Sequence, residues 1–130
     1  LYCISGDSND MRDLLKRREG GDPRAHLAID MFCYRIQKYL GAYVAALGCA
    51  HAIIFTGGIG ENAFQIRAQI CDGLRFLDVE LDSQKNGSMI GIEGEISTVK
   101  SRIKIWVIPT NEELLIARDT ARCIKDAHDV

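Results

Sequence analysis

Cysteine pairs, prolines, aromatic residues and excess charge are all scarce in this sequence. The five cysteines, Cys3, Cys33, Cys49, Cys71 and Cys123, include no C-x-x-C pair and are odd in number. That argues against a zinc site and against a closed disulfide framework. Buried, reduced thiols of a cytosolic protein are the expectation. The net charge is only −2, so nothing draws the chain to nucleic acid or to an anionic membrane. No apolar run approaches the roughly 20 residues of a membrane span, and no secretory signal pattern is present. Two prolines leave long stretches free to form regular structure.

What is present suits one domain over residues 1–130, or one large piece of a domain. A chain of this length buries a core without disulfides or metals. Residues 1–4 read as a short apolar strand. A chain whose first residue is Leu1, already inside a strand, is expected to be part of something longer. Ser8, Asn9 and Asp10 are candidate caps for a short helix that Gly20 and Gly21 stop. Asp22 and Pro23 open the longest helix, where Ala25, Ala28, Ile29, Phe32, Cys33, Ile36, Leu40, Tyr43, Val44 and Leu47 trace one buried face. Residues 51–56 form an apolar strand. Asn62 is the expected cap of the next helix, with Ile66, Ile70 and Leu74 inward. Residues 76–81, 95–99 and 103–108 read as strands, residues 83–94 as a loop with an Asn86-Gly87 turn, and residues 111–124 as a last helix. Interleaved helices and strands make this an α/β protein.

Two places join a strand to a helix. The first is "FTGGIGENA", residues 55–63. Glycines there let the backbone approach an anion, and a helix start offers free N–H groups. No Lys follows the glycines, which excludes a P-loop. Gly58, Gly60 and Ala63 match the dinucleotide fingerprint G-x-G-x-x-[GA], with Glu80 or Asp82 near the distance of its ribose-binding acid. Glu61, however, puts a negative charge beside the pyrophosphate, and such a fingerprint normally opens its fold. The bland reading, that these glycines only turn the chain, carries equal weight on pattern alone.

The second junction is "VIPTNEELLIARDT", residues 107–120. Thr110 and Glu113 form a T-x-x-E capping box. With Glu113 so engaged, Glu112 remains for Mg²⁺, which commonly takes one or two carboxylates plus substrate phosphates. Both glutamates also suit a helix start without any metal. In "SNDMRDL", residues 8–14, Asp10 can bind a ribose hydroxyl and Arg12 a base or phosphate; capping and a surface ion pair explain either residue alone.

These three segments, in this order, resemble the C-terminal part of the acetate kinase family. "AIDMFCYRIQKYLGAYVAAL" is similar to that family's long helix and "IRAQICDGLRFLDVELD" to its following segment, so nearly the whole chain takes part. The resemblance implies a partial ribonuclease H-like C-terminal domain, a mixed sheet flanked by helices, of the superfamily of sugar kinases, heat-shock chaperones and actin. It implies a cytoplasmic, two-domain, homodimeric enzyme that transfers the γ-phosphoryl group of ATP to acetate, reversibly, giving acetyl phosphate and ADP with Mg²⁺. The family's nucleotide contacts match Asp10, Met11 and Arg12, and its nucleotide loop matches Gly58, Ile59, Gly60, Glu61 and Asn62. Its magnesium-binding glutamate matches Glu112. Asp7, the Cys49-Ala50-His51 turn and Asp78 depart from the family's usual residues, with glycine common where Asp78 stands. The family's catalytic aspartate, transition-state histidine, acetate-binding arginines and second magnesium ligand have no counterpart among these residues. His26, His51 and His128 match no family site and read as surface or core residues. The isolated chain is therefore expected to be inactive. Propionate kinase and a non-catalytic dimerisation module are the alternative readings.

Overall fold

The computed structural model describes residues 1–128, apart from the side chains of Glu112, Ala127 and His128. Residues 2–5 are helical rather than extended: α1 (Tyr2–Ser5) ends at Gly6, whose φ is 92°. The Leu1 carbonyl accepts from the N–H groups of Ile4 and Ser5, each at 3.0 Å. A four-residue apolar run fits either element, and here local closure decides. α2 (Met11–Glu19) is capped by Asp10, which accepts from the Arg12 N–H. α3 (Pro23–Leu47) is capped by Asp22 and ends at the left-handed Gly48. β1 (Ala52–Phe55), α4 (Gly57–Asn62) and α5 (Phe64–Asp72) follow.

The next stretch differs most from expectation. Residues 76–81 form no strand. A 3₁₀ turn, Arg75–Leu77, ends at Asp78, and only Leu81 pairs, with Ser97. Residues 83–94 are not all loop, because Asp82 caps α6 (Ser83–Ser88) by accepting from the N–H groups of Gln84 and Lys85. A good cap outweighs the turn preference of Asn86-Gly87, since three or four helical N–H groups otherwise lack partners. β2 (Gly94–Glu95) is shorter than expected. β3 (Lys104–Val107) and α7 (Glu112–His128) complete the chain.

The three strands make a small mixed sheet in the order β1-β3-β2. β1 and β3 are parallel, β2 and β3 antiparallel. Ile53, Phe55, Ile105 and Val107 point into the core, whereas Ile54 is 55% exposed; alternation along β1 separates the two faces. The core continues through Ala25, Ala28, Ile29 and Cys33 of α3 and Ile66, Ile70 and Cys71 of α5, with Leu74 just beyond it. α3 packs on α1, α2 and α5. Its last two turns run past that cover, so Tyr43 and Leu47, expected inside, are exposed. Of the cysteines only Cys33 and Cys71 are buried. Burial holds both thiols neutral, at about 11 for Cys33 and about 12 for Cys71. Cys3, Cys49 and Cys123 are exposed, against expectation.

Arg67 is fully buried at the centre of this structure. Its Nε donates to Asn86 Oδ1 at 2.7 Å, and its Nη1 to the carbonyls of Gly60 and Glu61 at 2.8 Å each. Its Nη2 donates to the carbonyls of Asn86 and Met89 at 2.8 and 2.7 Å. Five donors thus meet five acceptors, none of them a carboxylate. Burial presses the guanidinium below its ordinary pKa, and the converging carbonyl dipoles offset that cost.

Two stability measurements follow from these contacts. Arg67→Met leaves several buried oxygens without donors, and urea unfolding is expected to show a loss of about 3 kcal/mol; a loss within the ordinary surface range, below about 0.5 kcal/mol, would contradict the network. Asp78 has φ 57°, a left-handed conformation that disfavours a Cβ. Its backbone N–H and carbonyl carry its contacts to Arg75 and Arg102, so Asp78→Gly should keep them and gain about 1 kcal/mol, and Asp78→Val should lose stability.

Candidate functional site

β1 and β3 lie side by side and run in parallel, with Phe55 opposite Val107. The Ile108 N–H donates to the Phe55 carbonyl at 2.9 Å, which extends the ladder to the strand ends. Both strand-to-helix junctions therefore leave the same edge of the sheet. The carboxyl ends of parallel strands are where α/β proteins place ligands.

After Phe55 the chain turns through Gly57, whose φ is 70°, directly into α4. The glycine loop is thus itself a short helix. Asn62 lies at its end, and its Nδ2 donates back to the Gly58 carbonyl at 2.9 Å. Asn62 does not cap α5; Ala63 holds that position without a side-chain bond. Gly60 faces the strand it has just left, where a Cβ would come within 3.1 Å of the Phe55 carbonyl carbon. Its missing side chain serves packing against β1.

A cavity of about 690 Å³ opens between the start of α2 and this loop. Asp10, Met11 and Arg12 line it together with Gly58, Ile59 and Asn62. Leu15 and Phe64 add apolar wall. Asp10 accepts from the Arg12 N–H at 2.8 Å and from Arg12 Nε and Nη2 at 3.1 and 2.6 Å. The guanidinium hydrogen bonds, ahead of the backbone one, lower the Asp10 pKa to about 2. The Arg12 side chain stays 87% exposed. The cavity therefore joins apolar walls to a fixed carboxylate, an exposed cation and an amide, a set suited to a small ligand with one apolar and one anionic end.

Gly60 and Glu61 are not among the residues lining this cavity. Glu61 turns the other way, and its Oε1 accepts from Thr110 N–H at 2.8 Å and Thr110 Oγ1 at 3.0 Å. Chiefly the Thr110 N–H holds its carboxyl below the ordinary range. Thr110 consequently forms no capping box. Asn111 caps α7 instead, accepting from the Leu114 N–H at 2.9 Å. Glu113 is exposed, so the premise that left Glu112 over by elimination fails. Glu112 is the first residue of α7, and its side chain lies outside the described part. Among the described residues no group of three or more His, Cys, Asp or Glu is gathered as a metal site.

The other singled-out residues lie elsewhere. Asp82 caps α6, and Glu80 accepts from Thr98 Oγ1 at 3.0 Å; neither lines the cavity of the glycine loop, so the dinucleotide fingerprint lacks its acid. Asp7 pairs with Arg17, which also holds Asp22, and neither Asp7 nor Arg17 lines the cavity. His26 and His51 are exposed, and the side chain of His128 is outside the described part. A larger cavity beside α5, about 1000 Å³, has three of its charged groups engaged, Arg18 by Gln69, Arg75 by Asp72 and Glu80 by Thr98, and is not lined by the glycine loop. Arg67 and Thr110 had gone unnoticed as supports of the loop. For Arg67 a signal existed, since it falls on the inward stripe of α5 between Ala63 and Cys71.

Comparison with known proteins adds to this geometry. Residues 1–118 match the model of the acetokinase family. The chain is 57% identical over 125 residues to an acetate kinase of Solibacter usitatus, covering 95% of this chain and 30% of that protein. It superposes on the crystal structure of Porphyromonas gingivalis acetate kinase with a TM-score of 0.85 and 41% identity, over 95% of this chain and 31% of that one. A propionate kinase structure from Francisella tularensis gives a TM-score of 0.80 at 41% identity, over 89% of this chain and 29% of that one. The chain thus spans about a third of the length of these relatives. No helix among the described residues is long and apolar enough to cross a membrane. With a match that takes in the cavity, the glycine loop and the turn that Glu61 holds, the chain belongs to the acetokinase family.

Proposed function

We propose that this chain forms the nucleotide-holding part of an acetate kinase, an enzyme that transfers the γ-phosphoryl group of ATP reversibly to acetate. One observation carries the reading: the start of α2 and the glycine loop, far apart in sequence, line one cavity at the carboxyl edge of parallel strands. Met11, Leu15 and Phe64 form apolar wall for the base. Asp10 accepts from a ribose hydroxyl while its bond to Arg12 keeps the guanidinium near the sugar and phosphates. Gly58, Ile59 and Asn62 bring the backbone of α4 close to the nucleotide, and Gly60 and Glu61 shape that loop rather than touch the ligand.

Glu112 stands at the junction beside the loop and is the residue here to hold Mg²⁺. With no cluster of protein ligands among the described residues, phosphate oxygens and water would complete the coordination, as is usual for this ion. When bound, Mg²⁺ neutralises charge developing on the transferred phosphoryl group. The groups that bind the acyl substrate are not among these residues, so acetate and propionate remain alternatives, and the Francisella relative is titled a propionate kinase. The parent enzyme is proposed to act in the cytoplasm as a homodimer. Exposed Tyr39, Tyr43 and Leu47, spaced four residues apart on one side of α3, support a self-pairing face and favour the dimerisation module as the second reading.

Calorimetric titration of the chain with Mg·ADP is expected to show binding, about tenfold weaker in Arg12→Ala, because a charge-assisted contact is lost. NAD should give no heat; NAD binding in place of ADP would overturn the reading. Supplied with ATP, Mg²⁺ and acetate, the purified 130-residue chain is expected to form no acetyl phosphate, and hydroxylamine trapping of that product would show that acyl-binding groups are present after all.

A further inference from the structure

We infer that Glu61 is a positioning residue: its carboxylate clamps the glycine loop to the turn that opens α7, setting the spacing between nucleotide and metal. The inference rests on the nucleotide reading above and deepens it. The family resemblance counts Glu61 among the nucleotide contacts. Its geometry says otherwise, because one oxygen takes both donors of Thr110, at 2.8 and 3.0 Å, across 49 residues of sequence. Thr110 stands two residues before Glu112, the candidate metal ligand.

The other half of the clamp is the Glu61 backbone. Its carbonyl accepts from Arg67 Nη1 at 2.8 Å and from the Gly91 N–H at 3.1 Å. One residue is therefore tied by its main chain to the buried arginine and by its side chain to the second junction. A carboxylate is suited to this task for two reasons. An ionised acceptor makes hydrogen bonds about twice as strong as a neutral one. Pointed at phosphate it would repel the ligand, but here it is turned onto two donors. Asp is one methylene short of the same reach, whereas Gln keeps both the reach and an accepting oxygen.

The test compares the wild-type chain with Glu61→Ala and Glu61→Gln by titration with ADP, with and without Mg²⁺, and by hydrogen exchange at the Thr110 amide. In Glu61→Ala, metal-free ADP affinity should stay within about twofold, while the strengthening of ADP binding by Mg²⁺ falls about tenfold. The Thr110 amide, hydrogen-bonded to Glu61 in the wild type, should exchange at least about tenfold faster, and Glu61→Gln should restore most of both properties. Merely structural damage would lower stability without changing the Mg²⁺ effect, and that result overturns the proposal. So does an equal change in metal-free and Mg·ADP affinity, which would make Glu61 a direct nucleotide contact. Absence of ADP binding by the wild type would overturn the nucleotide reading and the spacing role with it; the Thr110 amide would then report separately whether the clamp exists.

Discussion

A buried guanidinium with no carboxylate partner governs this structure. Arg67 collects carbonyls from α4, α6 and the turn after it, together with the Asn86 side chain. Such carbonyls at helix ends need donors. Five N–H groups in a rigid fork serve them at once, which no other side chain can do. The glycine loop owes its shape to this contact. Glycines permit many conformations, and Arg67 selects the one in which Gly60 backs onto Phe55 and Glu61 reaches Thr110.

Much of this was legible in the sequence. Asp10 and Asp22 are helix caps as expected, and the acidic-plus-proline start of α3 was unambiguous. β1, β3 and the inward face of α5 follow from apolar spacing. Apart from α1, which closes locally, the elements that went astray turn on caps and pairings that composition alone does not show. Asn86 and Gly87 spell a turn locally, but Asp82 caps a helix over them and Arg67 draws Asn86 inside. Residues 76–81 have a strand composition, yet they find a pairing partner only at Leu81.

The same division holds within the candidate site. Six of the residues that line the cavity, Asp10, Met11, Arg12, Gly58, Ile59 and Asn62, were legible through the family resemblance. Their individual tasks were not. Asn62 was expected to cap α5 but braces α4. Thr110 was expected to cap α7 but donates to Glu61, leaving the cap to Asn111. Asn62 finds its partner four residues back, whereas Thr110 finds its own 49 residues away, and spacing along the chain carries no information about so distant a partner.

Pairing of β1 with β3 has a consequence for how the molecule assembles. It joins residues 52–55 to residues 104–107, and every contact across the two junctions depends on it. Closing so long a stretch costs chain entropy before any bond is gained, and such non-local pairings form slowly. The helices α2 and α3 have their own caps and local contacts and can organise earlier. The cavity beside the loop is lined only by residues between Asp10 and Gln65, so its walls come from the earlier half of the chain, and the parallel pair then brings the second junction alongside. Whatever binds there holds α2 against the glycine loop, and through the Glu61–Thr110 contact the ordered loop offers the late-arriving strand a partner, so binding favours the closed pair by mass action.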